Sequence, residues 1–217
     1  MLRYRAVLFD LDGTLVDSYA ALTDAVNFAR RQHGYGDLHA DIRTLVGEGI
    51  ERLLERAFEG NVPAGAAETF ENRYDEICCE QSRILADVEP TLAALEASGV
   101  AMAVCTNKPT AFSKKILEFL DLAPFFEDIV GPDIAGARKP QPQHVLRTLE
   151  ATGCRPSEAL FVGDMPIDVE AAHNSGIAAA VVATGSSSST ALKAARPDHY
   201  LNRLADLVQI VRNGASA

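Results

Sequence analysis

Two carboxylates, Asp10 and Asp12, stand one residue apart at the end of the apolar run Ala6-Val7-Leu8-Phe9, with Gly13 and Thr14 directly behind them. Like charges that close repel each other unless something positive lies between them, most simply a hard cation such as Mg²⁺. The apolar run is short and a glycine turn stops it, which predicts a strand buried on both faces with Asp10 at its carboxyl end. Gly13 lets the chain bend so that both carboxylates face one point.

Further groups of the same kind recur downstream. Thr106 and Asn107 halt the apolar run of residues 100–105, Lys139 sits in Arg138-Lys139-Pro140 within a Gly/Pro-rich loop, and Asp164 and Asp168 follow the run Ala159-Leu160-Phe161-Val162. Right-handed crossovers bring the carboxyl ends of parallel strands to one edge of a sheet, where ligands bind, so residues this far apart in sequence can meet. Phosphoryl transfer needs a nucleophile, an acid/base, a cation and donors for the phosphoryl oxygens, and this set supplies each part.

The elements that must position these groups follow from periodicity. After Leu15 the pattern turns helical: Asp17 or Ser18 can cap a helix carrying Leu22, Val26 and Ala29, which Gly34-Tyr35-Gly36 breaks. A second helical segment starts near Asp41, pauses at Gly47-Glu48-Gly49 and resumes through Ile50, Leu53, Leu54 and Phe58. A charged helix is expected over residues 66–83, with Phe70, Tyr74 and Ile77 on one face, and nothing over residues 16–83 reads as a buried strand. Beyond Pro90, strands alternate with helices to the last strand, His199-Tyr200-Leu201. The expected fold is therefore α/β, a Rossmann-like, doubly wound parallel sheet core at residues 1–15 and 84–217, interrupted by a helical insert at residues 16–83. The serine run at residues 186–189 reads as a flexible loop.

Composition narrows the partners. The formal net charge of −10 argues against nucleic acid and would repel a small phosphorylated ligand, so a phosphate site must be made positive locally. Cys78, Cys79, Cys105 and Cys154 show no CxxC spacing and read as reduced thiols; the histidines are scattered without metal-ligand spacing. No apolar run approaches a membrane span, and no signal-like stretch precedes Asp10, so a cytoplasmic protein is expected.

The string Asp10-Leu11-Asp12-Gly13-Thr14-Leu15 resembles the first signature of the haloacid dehalogenase-like phosphatase superfamily, and Thr106, Lys139 and Gly163-Asp164-Met165-Pro166-Ile167-Asp168 resemble its second, third and fourth motifs, in order. The resemblance implies Asp10 as a nucleophile that becomes an aspartyl-phosphate and Asp12 as general acid/base. It implies Thr106, Asn107 and Lys139 at the phosphate, Asp10, Asp12 and Asp164 at Mg²⁺, and Asp168 supporting the metal shell. Thr106-Asn107-Lys108-Pro109 and the Lys-Pro-x-Pro run at 139–142 are closer to the phosphoglycolate phosphatase-like branch. That branch carries a helical cap after the first motif, often with a Gly-x-Gly turn. Gly47, Glu48, Gly49 and Arg52 are therefore cap candidates for substrate contact, although Arg43, Glu48 and Arg52 each also read as surface charges. The serine run departs from the branch. The activity so implied is Mg²⁺-dependent hydrolysis of a small phosphorylated metabolite, foremost 2-phosphoglycolate, by a monomer or a dimer. The alternatives are a sugar phosphomutase of the same architecture and a phospho-accepting receiver-like signalling domain, the latter opposed by the long insert and by Asp12.

Overall fold

The computed structural model describes residues 2–212. Its first strand, β1 (Ala6–Phe9), is wholly buried, as a short run of branched and aromatic residues between two helical layers must be. The chain then makes a two-residue strand, β2 (Val16–Asp17), and three helices, α1 (Tyr19–Gln32), α2 (Ile50–Ala57) and α3 (Ala66–Ile77). It returns through β3 (Arg83–Ile84) and alternates through α4 (Val88–Glu96), β4 (Ala101–Cys105), α5 (Thr110–Phe119), β5 (Ile129–Val130), α6 (Pro132–Ala135) and α7 (Pro142–Glu150). The last part runs β6 (Ala159–Gly163), α8 (Pro166–Asn174), β7 (Ala178–Val182), α9 (Ser189–Ala194), β8 (His199–Leu201) and α10 (Leu207–Arg212).

Six strands form one parallel sheet in the order β5-β4-β1-β6-β7-β8. The strand order reverses at β1, and ligands of doubly wound sheets bind beyond the carboxyl ends at such a reversal. Phe9 pairs with Val104 on one side and Val162 on the other, so Asp10, Thr106 and Asp164 leave the sheet at one edge, within about one residue of each other in register. Alternation along β1 splits the core in two. Val7 and Phe9 join the cluster that contains α1, α3, α4 and α5, whereas Ala6 and Leu8 join the one beneath α7 and α8. Each fully buried Leu or Phe here contributes about 1.5–3 kcal/mol of hydrophobic stabilisation.

Two sequence expectations need correction in the insert. A strand does exist in it: Val16 pairs antiparallel with Ile84 and Asp17 with Arg83. Two residues carry no periodicity, so only the fold reveals them. The charged helix also ends at Ile77, not near residue 83, because the chain must turn to enter β3. All four cysteines are free, and no helix among the described residues is long and apolar enough to cross a membrane.

Candidate active site

Asp10 directly follows β1, and its N–H donates to the Val162 carbonyl at 2.9 Å, extending the sheet by one bond. Its carboxylate meets Lys139, whose Nζ lies 2.8 Å from Asp10 Oδ1 and 2.7 Å from Asp168 Oδ1. Asp10, Asp164 and Asp168, all buried, each place a carboxylate oxygen within 4.8 Å of the others. Asp168 Oδ2 accepts the Met165 N–H at 3.0 Å where α8 begins. Asp164 is held by Thr14 Oγ1 (3.2 Å), the Ser186 N–H (2.8 Å) and Ser186 Oγ (3.2 Å). Gly13 and Gly185 make the close approach possible, since a Cβ on either would overlap the Asp164 carboxylate.

The electrostatics of this cluster fit a cation. Burial pushes Asp10 up to about 6, against the pull of Lys139 and with help from Asp168 and Asp12. Burial, followed by Asp10 and Asp168, holds Asp164 well above the ordinary carboxylate value. Burial alone would lower the Lys139 ammonium, but Asp10 and Asp168 outweigh it and keep the charge in place. Three buried carboxylates thus cluster with one ammonium, which pairs with two of them, and their oxygens are the hard donors a divalent cation takes.

Asp12 points elsewhere. Its Oδ1 accepts from Lys108 Nζ at 2.6 Å and from Ser18 Oγ at 2.5 Å, so the third carboxylate beside Asp10 and Asp164 is Asp168. Lys108, 8% exposed, also donates to the Tyr74 hydroxyl at 2.7 Å. Burial pushes the Tyr74 phenol up to about 12, so it stays protonated. Burial disfavours the Lys108 ammonium as well, but Asp12 more than compensates.

Thr106 is buried, its N–H given to the Val130 carbonyl at 3.1 Å, while its Oγ1 accepts the Lys108 N–H at 3.2 Å and keeps a hydroxyl proton to donate. Asn107 spends its side chain on backbone. Its Oδ1 accepts the Lys139 N–H at 2.8 Å, and its Nδ2 donates to the carbonyls of Lys139 (3.2 Å) and Gly47 (2.9 Å). It therefore sets the Lys139 loop and ties the insert to the core, which leaves its main-chain N–H as what it can offer a phosphoryl oxygen.

A cavity of about 60 Å³ lies between sheet and insert, with Asp10, Asp12, Thr106, Lys108 and Lys139 on the core side. That is room for on the order of four or five waters. Gly47 and Gly49 line it together with Leu22, Ile50, Leu53, Phe70 and Tyr74. Glu48 and Arg52 do not. The Glu48 carboxylate pairs with Arg56, its carbonyl accepts from Arg138 at 3.3 Å, and Arg52 pairs with Glu55 at 2.5 Å on the outer face. Arg43 lies over the Tyr19 ring, 4.4 Å from its centroid.

Lys108, Tyr74, Ser18 and Ser186 are the site residues that sequence reasoning passed over. Lys108 had a signal, its place directly after Thr106-Asn107, whereas Tyr74 showed only as one apolar-face residue of a charged helix. The serine run is not free: Ser186 binds Asp164, and Ser188 Oγ caps α9 through the Ala191 N–H at 3.2 Å.

Comparison with known proteins agrees with this geometry. Residues 4–176 match the family model of the haloacid dehalogenase-like hydrolases. The chain is 36% identical over 210 residues to the phosphoglycolate phosphatase of Aquifex aeolicus (strain VF5), covering 96% of this chain and 97% of that one. It is 34% identical over 215 residues to that of Yersinia pseudotuberculosis, covering 95% and 93%. The crystal structure of a predicted phosphoglycolate phosphatase from Haemophilus somnus 129pt superposes with a TM-score of 0.89 at 29% identity, over 98% of this chain and 100% of that one. The chain belongs to the haloacid dehalogenase-like hydrolases. Within that family it is a phosphatase of the phosphoglycolate phosphatase-like branch.

Proposed function

We propose that this phosphatase is a Mg²⁺-dependent phosphomonoesterase that works through a phosphorylated Asp10 on 2-phosphoglycolate or a similarly small phosphorylated metabolite. The observation that carries the proposal is Asp10 itself, buried at the strand-order reversal and paired at 2.8 Å with Lys139 on the floor of the cavity. The small cavity and the relatives' names support the substrate.

Asp10 attacks phosphorus in line, forming a carboxylate O–P bond as the bond to the leaving oxygen breaks. Asp12 gives that oxygen a proton, then takes one from the water that attacks phosphorus and releases Asp10. Lys139 and the Thr106 hydroxyl stabilise the phosphoryl oxygens throughout. Asp10 and Asp164, backed by Asp168, would hold Mg²⁺, which supplies positive charge between a carboxylate nucleophile and a dianionic phosphoryl group. Asp12 Oδ1 is taken by Lys108 and Ser18, which leaves Oδ2 to carry the proton. Residues 16–83 act as a cap that keeps bulk water from the cavity, and residues 1–15 and 84–217 as the catalytic core.

Phosphate release from 2-phosphoglycolate tests the proposal. Activity should vanish in chelator and return with Mg²⁺, and Asp10→Asn should lower kcat by at least about 10³-fold while the chain still folds. Full activity in chelator, or a near-wild-type kcat for Asp10→Asn, refutes it.

A further inference from the structure

We propose that Lys108 selects the substrate by pairing its ammonium with an anionic, carboxylate-bearing leaving group. This rests on the phosphatase reading above and adds to it the chemistry at the non-reacting end of the substrate.

Among the described residues, the cations lining the cavity are Lys139 and Lys108. Lys139 is committed to Asp10 and Asp168, at 2.8 and 2.7 Å. Lys108 stands beside Asp12, the group assigned to the leaving oxygen. An ammonium carries three donors. Asp12 and the Tyr74 hydroxyl take two of them, at 2.6 and 2.7 Å, which leaves the third to the cavity that Lys108 lines. Leu22, Leu53, Phe70 and Phe112 make the surrounding wall apolar, so a charge there is poorly screened and discriminates strongly between an anionic and a neutral partner. The chain as a whole repels anions, with a net charge of −10, so this local cation is what can draw a carboxylate in.

Tyr74 fixes the selecting group in space. Its ring stacks on Phe70 at 5.6 Å between centroids and meets Phe112 edge-on at 5.2 Å, so the hydroxyl that holds the ammonium is itself anchored. Tyr74 comes from the insert and Lys108 from the core, so the selecting pair is complete only when the two are in contact.

The test compares kcat/KM for 2-phosphoglycolate with that for 2-hydroxyethyl phosphate, in which a hydroxymethyl group replaces the carboxylate. In Lys108→Met the ratio of the two should fall at least about tenfold, chiefly through KM for 2-phosphoglycolate, since truncating one partner of a buried charge pair costs that much or more. Lys108→Arg, which keeps the charge, should recover part of the ratio. A ratio that falls less than about tenfold in Lys108→Met overturns the proposal, and Lys108 then serves Asp12 alone. Tyr74→Phe removes only the hydroxyl and gives a second reading should Lys108→Met fail to fold. Its ratio should fall at least about threefold, and an unchanged ratio overturns the proposal equally. If wild type cleaves 2-hydroxyethyl phosphate but not 2-phosphoglycolate, it is the substrate reading that fails. If wild type cleaves 2-phosphoglycolate and the ratio is indifferent to Lys108, only the present inference fails.

Discussion

Around Asp10 every charged group comes from the sheet core: Asp10 follows β1, Asp164 follows β6, Asp168 lies in the first turn of α8 and Lys139 stands before α7. Around Asp12, Lys108 of the core meets Tyr74, and Asp12 meets Ser18, both of which the insert supplies. The first set is held by the sheet itself, by hydrogen bonds from Thr14, Ser186 and Met165, and by the Lys139 N–H donating to Asn107 Oδ1. In the second set the Asp12–Lys108 pair lies within the core, and Tyr74 and Ser18 join it only across a contact between two parts of the chain. On the proposed mechanism, steps common to every phosphomonoester would rest on groups whose positions are fixed several times over, and recognition of one particular ester on groups brought together by docking.

The contrast can be broken most decisively at Lys139. On the proposed mechanism its charge lies against the transferring phosphoryl group, which every substrate shares, so Lys139→Ala should lower kcat about 10³-fold on 2-phosphoglycolate and on p-nitrophenyl phosphate by similar factors. Steady-state rates on both substrates check this, and a loss confined to one of them would erase the division between the two sets. Asp12→Ala should behave differently. An alkyl phosphate leaves as a strongly basic alkoxide and needs the proton, whereas p-nitrophenolate needs little help. The variant should therefore lose on the order of ten to a hundred times more kcat on 2-phosphoglycolate than on p-nitrophenyl phosphate. Equal losses would move Asp12 to the set around Asp10.

The smallest effect is on metal binding and pH. Burial pushes the Asp10 carboxyl up to about 6 against an ordinary 3.8. Between those values the folded chain holds a proton that the unfolded chain has lost, so this group's contribution to stability falls as pH rises through that window. Mg²⁺ needs the ionised form and must displace the same proton, so its apparent affinity should weaken about three- to tenfold on going from pH 7.5 to about 5.5. The rise in Tm on adding Mg²⁺, measured at both pH values, should be smaller at the lower one. An equal rise would mean that the metal does not depend on the Asp10 charge.

How much of this was legible in the sequence follows the same division. Asp10, Thr106 and Asp164 stand where an apolar run is cut off, and in a parallel sheet such positions converge whatever the details of packing. Lys139 was legible through the resemblance of its Arg-Lys-Pro context to the family's third motif. The Lys108–Tyr74 pair was not, because residues on a strand-end turn and on a remote helix meet through tertiary packing, and no spacing rule encodes that. Arg52 was offered as a substrate contact because it is charged and close to the Gly47-Glu48-Gly49 turn, yet the phase of α2 turns it outward to Glu55. Ser186 was hidden for a different reason. Serine runs suit both loops and anchors, and only the nearness of Asp164 decides which.

The two-residue ladder of β2 and β3 carries a consequence for how such a chain can change. Antiparallel partners lie about 4.5–5.5 Å apart, a gap that a two-residue hairpin closes. With Asp17 facing Arg83, residues 18–82 are in effect one enlarged hairpin loop, hung from a sheet whose central strand finds its partners in β4 and β6 without them. Trading that single continuous length of chain for another would replace Ser18, Tyr74, Leu22, Leu53 and Phe70 together, and would leave Asp10, Lys139, Asp164 and Asp168 where they stand. Diversification of substrate in this architecture thus requires no renegotiation of the sheet, only a different excursion between two neighbouring points on its rim.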